Sequence, residues 1–353
     1  MLPEIYLTDK ADKALARGIR SVSGMAEKLG FAVIGCGGIG GLRMRTISLN
    51  PDLTLKAVCD VVEDLAKRRA GEFHCEYSMD YTKVVSRGDV DCVVVSTSNK
   101  FHAPIAIAAL EAGKHVLCEK PLARNPQEAM DMVDASKRTG KILKTGFNHR
   151  HFRNVLKARE LLDSGRIGKT TFLRSRTGHG GGEHMLRSWF WNKEMAGGGT
   201  FLDNGVHLLD LTRWFLGEIK EAKGYATTLF WPIEIEDNGF GLFKTVDGKV
   251  AFVHSSWTEW FGYMYVELYG EKGYIYIDNR NCNKTVFGEK GGEQVVYDYG
   301  DMEDESWKLE LEEFVRAVRD GRRPLGDGFD GLRAVQMAYA IYDSSKTGKT
   351  VSF

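Results

Sequence analysis

The sequence predicts an α/β protein: a doubly wound, parallel-sheet domain followed by an α+β domain with a mainly antiparallel sheet. Three observations carry this. Between residues 31 and 145, short apolar runs alternate with helical segments, as in a parallel sheet covered on both faces. The first run ends in a glycine-rich turn, Gly35-Cys36-Gly37-Gly38-Ile39-Gly40, that opens a helix. Beyond residue 148, strand-like runs follow one another closely, with hairpin signals such as Asp247-Gly248 and Glu271-Lys272-Gly273 between them.

Taken in order, residues 8–29 place Ala11, Ala14, Leu15, Ile19, Val22, Met25 and Leu29 on one helical stripe, so residues 1–30 read as an N-terminal helical extension. Strands are expected at 31–35, 53–59, 91–96, 115–118 and 142–145, with helices near 39–49, 62–73, 102–112 and 125–139. These make a first domain over 31–148. The second, 149–353, begins with a helix near 151–163 and a strand at 169–177. An irregular glycine-rich stretch and a helix near 203–216 come next. Strands at 220–230, 238–246, 249–258, 262–270, 273–278 and 284–288 lead to closing helices near 305–320 and 328–346.

Lys plus Arg and Asp plus Glu each number 48 in 353 residues, a balance that argues against a nucleic-acid groove or an anionic-membrane patch as the main surface. No run approaches the roughly 18 apolar residues of a membrane span. The N-terminus interleaves acids and bases and does not read as a signal peptide. The six cysteines, at 36, 59, 75, 92, 118 and 282, form no Cys-x-x-Cys pair and read as reduced thiols of a cytoplasmic protein.

The Gly-x-Gly-x-x-Gly turn follows a strand and precedes a helix, the context of a Rossmann dinucleotide site. Gly35, Gly37 and Gly40 supply the turn, the approach to pyrophosphate and the helix–strand packing; Gly38 and Ile39 begin the helix whose N–H groups face the phosphates. Asp60 ends the second strand, 20 residues beyond Gly40, where a carboxylate accepts from both ribose hydroxyls and repels the extra phosphate of NADP. The expected cofactor is NAD in preference to NADP. Ser96, Thr97, Asn99 and His102 place small polar groups at the end of the third strand, beside the switch point where a ligand lies.

Glu119-Lys120-Pro121 ends the next strand. With the glycine turn, Asp60, the Ser-Thr-x-Asn run, Gly146-Phe147-Asn148-His149-Arg150, the run from Gly197 to His207 and Asp330-Gly331-Leu332-Arg333-Ala334, it makes the chain resemble the glucose–fructose oxidoreductase / inositol dehydrogenase / rhizopine-catabolism (Gfo/Idh/MocA) family from about residue 31 onward. The resemblance implies a second domain built on a large, mainly antiparallel open sheet, and a pocket between that sheet and the nicotinamide. It also implies sugar or cyclitol substrates and homodimers or homotetramers built through the sheet.

Hydride transfer needs a proton acceptor at the hydroxyl. Asp203 and His207, four apart, share one helical face; His207 is the natural base and Asp203 a substrate or imidazole partner, with Asp210 a second group able to orient the ring. Lys120 donates to the reacting oxygen. The resemblance makes Lys120 and His207 catalytic partners and sets Glu119 beside the nicotinamide ribose, with Asn148 and Arg150 as cofactor or substrate contacts. The segment from Gly178 to Trp191 is the expected seat of substrate choice. In it His179 reads as a substrate contact and Trp189 or Trp191 as a ring stacking on a sugar face or on the nicotinamide, while the spacing of His179, Glu183 and His184 matches no metal template. Trp257 and Trp260, with Glu259, add further aromatic surface in the sheet region. A freely turning-over dehydrogenase leads. A redox-neutral enzyme that retains NAD(H), oxidising a glycoside transiently or passing hydride between two sugars, is the alternative, and a non-catalytic sensor the lesser one.

Overall fold

The computed structural model describes residues 5–6, 28–182, 188–279, 283–300 and 302–353. The helix expected over 8–29 falls almost wholly outside them, and Leu29 already belongs to a strand. Backbone residues Ile5–Tyr6 form β1.

The parallel sheet comprises β2 (Leu29–Ile34), β3 (Leu53–Cys59), β4 (Glu76–Ser78), β5 (Cys92–Val95), β6 (His115–Cys118) and β7 (Leu143–Thr145). Its order is β4-β3-β2-β5-β6-β7, all parallel, so the winding reverses between β2 and β5. The connecting helices are α1 (Gly38–Ser48), α2 (Glu63–Phe73), α3 (Tyr81–Val85), α4 (His102–Glu111) and α5 (Pro126–Thr139). Strands β2 and β5 are continuous apolar runs because both faces are covered. Helix α5 shows how local chemistry sets an element: Asn125 caps its first turn, Pro126 opens it, and Gly140 ends it at φ 67°.

The second sheet is built on β8 (Thr170–Gly178), β9 (Ile219–Thr227), β10 (Asn238–Thr245), β11 (Val250–Ser256), β12 (Tyr263–Gly270), β13 (Gly273–Asp278), β14 (Lys284–Glu289), β15 (Gln294–Asp298) and β16 (Val351–Ser352). Its order is β1-β15-β14-β13-β12-β8-β11-β10-β9-β16; only β8–β11 and β1–β15 are parallel. Helices α6 (Arg153–Asp163), α7 (Lys193–Ala196), α8 (Thr200–Asp203), α9 (Gly205–Leu216), α10 (Ser306–Asp320) and α11 (Gly328–Thr347) complete the chain. Helices α6, α9 and α11 cover one face of this sheet.

Four differences from expectation have physical causes. The helix expected over 203–216 is two, α8 and α9, and starts earlier, at Thr200. β4, α3, β15 and β16 are short, and too few side chains repeat in them to make a period. β8 pairs in parallel with β11, which no local turn signal could announce. Helix α10, inside the expected second domain, buries Leu311, Phe314 and Val315 in the core of the parallel sheet beside Phe31 and Val33. The five described cysteines are free thiols, four of them buried, and none of the described helices is long and apolar enough to cross a membrane.

Phe201 of α8 is fully buried, with Gly239 and Gly241 of β10 kept bare beneath it: a Cβ on Gly239 would lie 2.4 Å from the ring. Phe201→Ala is expected to lower stability by about 3–5 kcal/mol, read as a lower urea midpoint, because the glycines cannot fill the void.

Candidate active site

The glycine turn is shaped by two different constraints. Gly35 sits at φ +100°, and a Cβ there would lie 2.4 Å from the Ser96 carbonyl oxygen. A Cβ on Gly40 would lie 1.9 Å from the Gly35 carbonyl oxygen. Gly37 and Gly38, by contrast, have nothing within 4 Å of where a Cβ would stand and are exposed with Ile39. The first two glycines are thus required by packing and the second two leave an open cradle at the N-terminus of α1, which no side chain caps. Asp60 accepts from Cys36 N–H at 2.8 Å and from Val62 N–H at 2.9 Å, binding the turn to the end of β3, and remains half-exposed. Bare cradle, free helix end and carboxylate together fit a dinucleotide.

Across the switch point, Ser96 donates to the Gly35 carbonyl at 2.9 Å, locking β5 to the turn. Thr97 and Ser98 stay half-exposed at the strand ends. Two expected ligand contacts are instead internal. His102 is 1% exposed, its ring nitrogens 2.9 Å from the Pro121 carbonyl and 3.1 Å from the Thr97 carbonyl, so it staples two loops together. Asn99 donates to the Ala196 carbonyl at 2.9 Å, tying α7 to the first domain.

Glu119 accepts from Arg43 at 2.7 Å; the same buried guanidinium lies 2.6 Å from Glu310 of α10 and 4.5 Å from the Trp307 ring. Glu119 is therefore committed to Arg43, and Gly146 leaves it room, since a Cβ there would lie 2.9 Å from its carboxylate. Asn148 donates to Ser306 at 3.1 Å and is buried, again an internal use. Arg150 is the clearest correction. It is 2% exposed, grips Asp210 through both ends of its fork and lies 3.3 Å from Asp330. Its guanidinium is held in buried ion pairs in the core. Asp210, spent on Arg150 and pushed up to about 6 by burial, does not orient the His207 ring.

Lys120, in a cis peptide with Pro121, extends Nζ to Asp203 Oδ1 at 2.8 Å and to the Asp203 carbonyl at 3.1 Å; both side chains are half-buried. One contact thus joins the end of β6 to α8. The start of α8 is held by Glu236, whose carboxylate accepts from Gly199 N–H at 2.8 Å, Phe201 N–H at 3.0 Å and Tyr342 Oη at 2.8 Å. Burial pushes its carboxyl up to about 7. A Cβ on Gly199 would collide with Glu236 at 1.9 Å, which accounts for a glycine there.

His207, in the first turn of α9, is 5% exposed. It stacks face to face on His149 at 3.6 Å between ring centroids and 11° between planes, with the Phe147 edge at 6.1 Å. Burial, then His149 and Lys120, hold its pKa well below 6.5, so it is neutral. Burial likewise holds His149 at about 3. Asp203 faces Lys120 and not the imidazole, so the expected Asp203–His207 contact is replaced by a ring stack.

In the loop after β8, His179 Nδ1 accepts from Gly181 N–H at 3.0 Å, and Trp189 stacks on Phe190 at 4.1 Å. Trp191 and Trp257 are buried and stack on each other, with Trp231 edge-on, so they are core; Trp260 is exposed. Glu259 accepts from Tyr263 Oη at 2.6 Å. Glu183 and His184 lie outside the described residues. The sequence reading missed Arg43, His149 and Glu236. Arg43 had a signal: with Gly40, Met44 and Ile47 it occupies a helical face that is otherwise apolar.

The family model described as "Oxidoreductase family, NAD-binding Rossmann fold" matches residues 29–147, and the one described as "GFO/IDH/MocA C-terminal domain" matches residues 155–276. The chain is 30% identical over 333 residues to myo-inositol 2-dehydrogenase of Thermotoga maritima, covering 91% of this chain and 97% of that one. It is 28% identical to D-glucoside 3-dehydrogenase of Escherichia coli, over 85% of this chain and 90% of that one. Among solved structures, GenD2 from gentamicin A biosynthesis in complex with NAD is similar at 27% identity and TM-score 0.82, covering 95% and 99%. Levoglucosan dehydrogenase in complex with NADH shares the fold at TM-score 0.86 and 24% identity, covering 92% and 99%.

The two kinds of glycine make a prediction. Gly37→Val is expected to leave thermal stability unchanged and to weaken NAD by tenfold or more in a fluorescence titration, about 1.4 kcal/mol. Gly40→Ala is expected to lower the melting temperature, because its Cβ meets backbone.

Proposed function

The chain belongs to the Gfo/Idh/MocA oxidoreductase family, and on that premise we propose that it moves a hydride between NAD and a secondary hydroxyl carbon of a sugar, sugar derivative or cyclitol. The observation that carries the reading is the convergence of Lys120, Asp203 and a neutral, buried His207 at the domain junction, on the side where the parallel strands end and the glycine cradle opens. Bound NAD supplies the ring carbon that accepts hydride. The rest is the work of the chain. Lys120 has three N–H donors; two go to Asp203, and the third is free for the substrate oxygen, where it stabilises alkoxide character. His207 takes the hydroxyl proton on Nε2, since Nδ1 is sealed from solvent. Asp203 fixes the ammonium, so the substrate oxygen is met by a group already in place.

Asp60 supports NAD over NADP. Its carboxylate is half-exposed at the ribose end, and the nearby Arg69 is occupied by Glu72 at 2.7 Å. A homodimer or homotetramer through the open sheet face is part of the reading: Phe172, Leu242, Val250 and Phe252 project from neighbouring strands on that face.

The test is NADH production with a panel of inositols, sugars and glycosides. His207→Ala is expected to lower kcat by about 10²- to 10⁴-fold with NAD affinity unchanged, and Asp60→Ala to weaken NAD more than NADP. Equal turnover by the His207 variant would refute the assignment of the base. The acceptor must be neutral, and its folded value is depressed. Oxidation should therefore persist as pH falls through 6.5, with the acid limb of kcat/KM below that value.

A further inference from the structure

We propose that His149 is the positioning residue for His207, setting the plane of the base and keeping it dry by stacking rather than by a hydrogen bond. The proposal rests on reading His207 as the proton acceptor. A histidine base needs something to fix its ring, and a carboxylate on the second nitrogen is the usual device. Both carboxylates within one helical turn of His207 are committed elsewhere: Asp203 to Lys120, Asp210 to Arg150. Neither His207 Nδ1 nor His149 Nδ1 has a hydrogen-bond partner among the described residues, and both atoms are buried. What touches the His207 ring is the parallel face of His149 at 3.6 Å, backed in turn by Phe152 at 4.6 Å, with the Phe147 edge completing the slot.

The charged groups around the pair are Lys120 from the loop after β6, Asp203 from α8, the Arg150–Asp210 pair and Asp330 of α11. Asp203 is ion-paired to Lys120 and Asp210 to Arg150, and Lys120 is the charge that acts on both rings. A stacked neutral imidazole therefore offers His207 an apolar face and no proton acceptor. It leaves the ring fixed in orientation and its charged form unfavoured.

Two variants separate stacking from hydrogen bonding and from structural damage. His149→Phe keeps a flat ring and removes both nitrogens; His149→Ala removes the face and admits water. The Phe variant is expected to keep kcat within about threefold and leave the acid limb of the kcat/KM profile where it is. The Ala variant is expected to lose about tenfold or more in kcat, with NAD affinity unchanged and the acid limb moved up toward 6.5, since a hydrated imidazole regains its ordinary pKa. A merely structural loss would lower activity without moving the limb. An unmoved limb in the Ala variant, or a Phe variant as impaired as the Ala variant, would overturn the proposal while His207→Ala remained inactive. Turnover surviving in His207→Ala would overturn the base assignment itself and this proposal with it.

Discussion

The structure depends on what Arg43 requires. Its guanidinium is 1% exposed, in the first helix of the parallel domain, and a charge so placed costs several kcal/mol unless it is paired. Glu119 supplies one partner from the end of β6, and Glu310 the other from α10, 267 residues downstream. Satisfying one arginine therefore brings the chain's penultimate helix back onto the first domain and sets the backbone immediately before Lys120. Lys144, also fully buried, extends the same network toward Glu310 and Glu313 and donates to the Leu325 carbonyl. These buried ion pairs tie β6, β7, α1 and α10 together in a way that hydrophobic packing alone does not.

A second buried carboxylate does the corresponding work on the other side of the cleft. Glu236 caps α8, so Asp203 sits where Lys120 meets it, and α9 follows after Asn204. The two anchors come from opposite domains, and the Lys120–Asp203 contact is where they meet. On the proposed reading, these internal hydrogen bonds hold the proton acceptor and the lysine in register with a substrate.

Much of this was legible in the sequence. Continuous apolar runs and the glycine turn announced the parallel sheet, since strands buried on both faces leave no choice of residue. Lys120, Asp203 and His207 were legible as candidate residue types. Their partners were not. Asp203 and Asp210 are equally spaced about His207, and helical geometry permits either to meet it; what excludes both is Lys120 and Arg150, which arrive from other elements. Arg150, His102 and Asn148 look like ligand contacts because polar groups gather at strand ends; the internal partners they also have arrive from elements far away in sequence. The place of α10 was hidden because an amphipathic helix does not say which core its apolar face enters.

The glycine turn divides into residues that answer to the backbone and residues that answer to empty space. Gly35 and Gly40 are held by neighbouring carbonyls, so replacing either costs the fold stability. Gly37 and Gly38 press on nothing in the protein. A lineage that abandoned the nucleotide would feel no penalty at those two positions and would drift there first. Within one six-residue turn, two glycines serve the fold and two leave the space that a nucleotide would take.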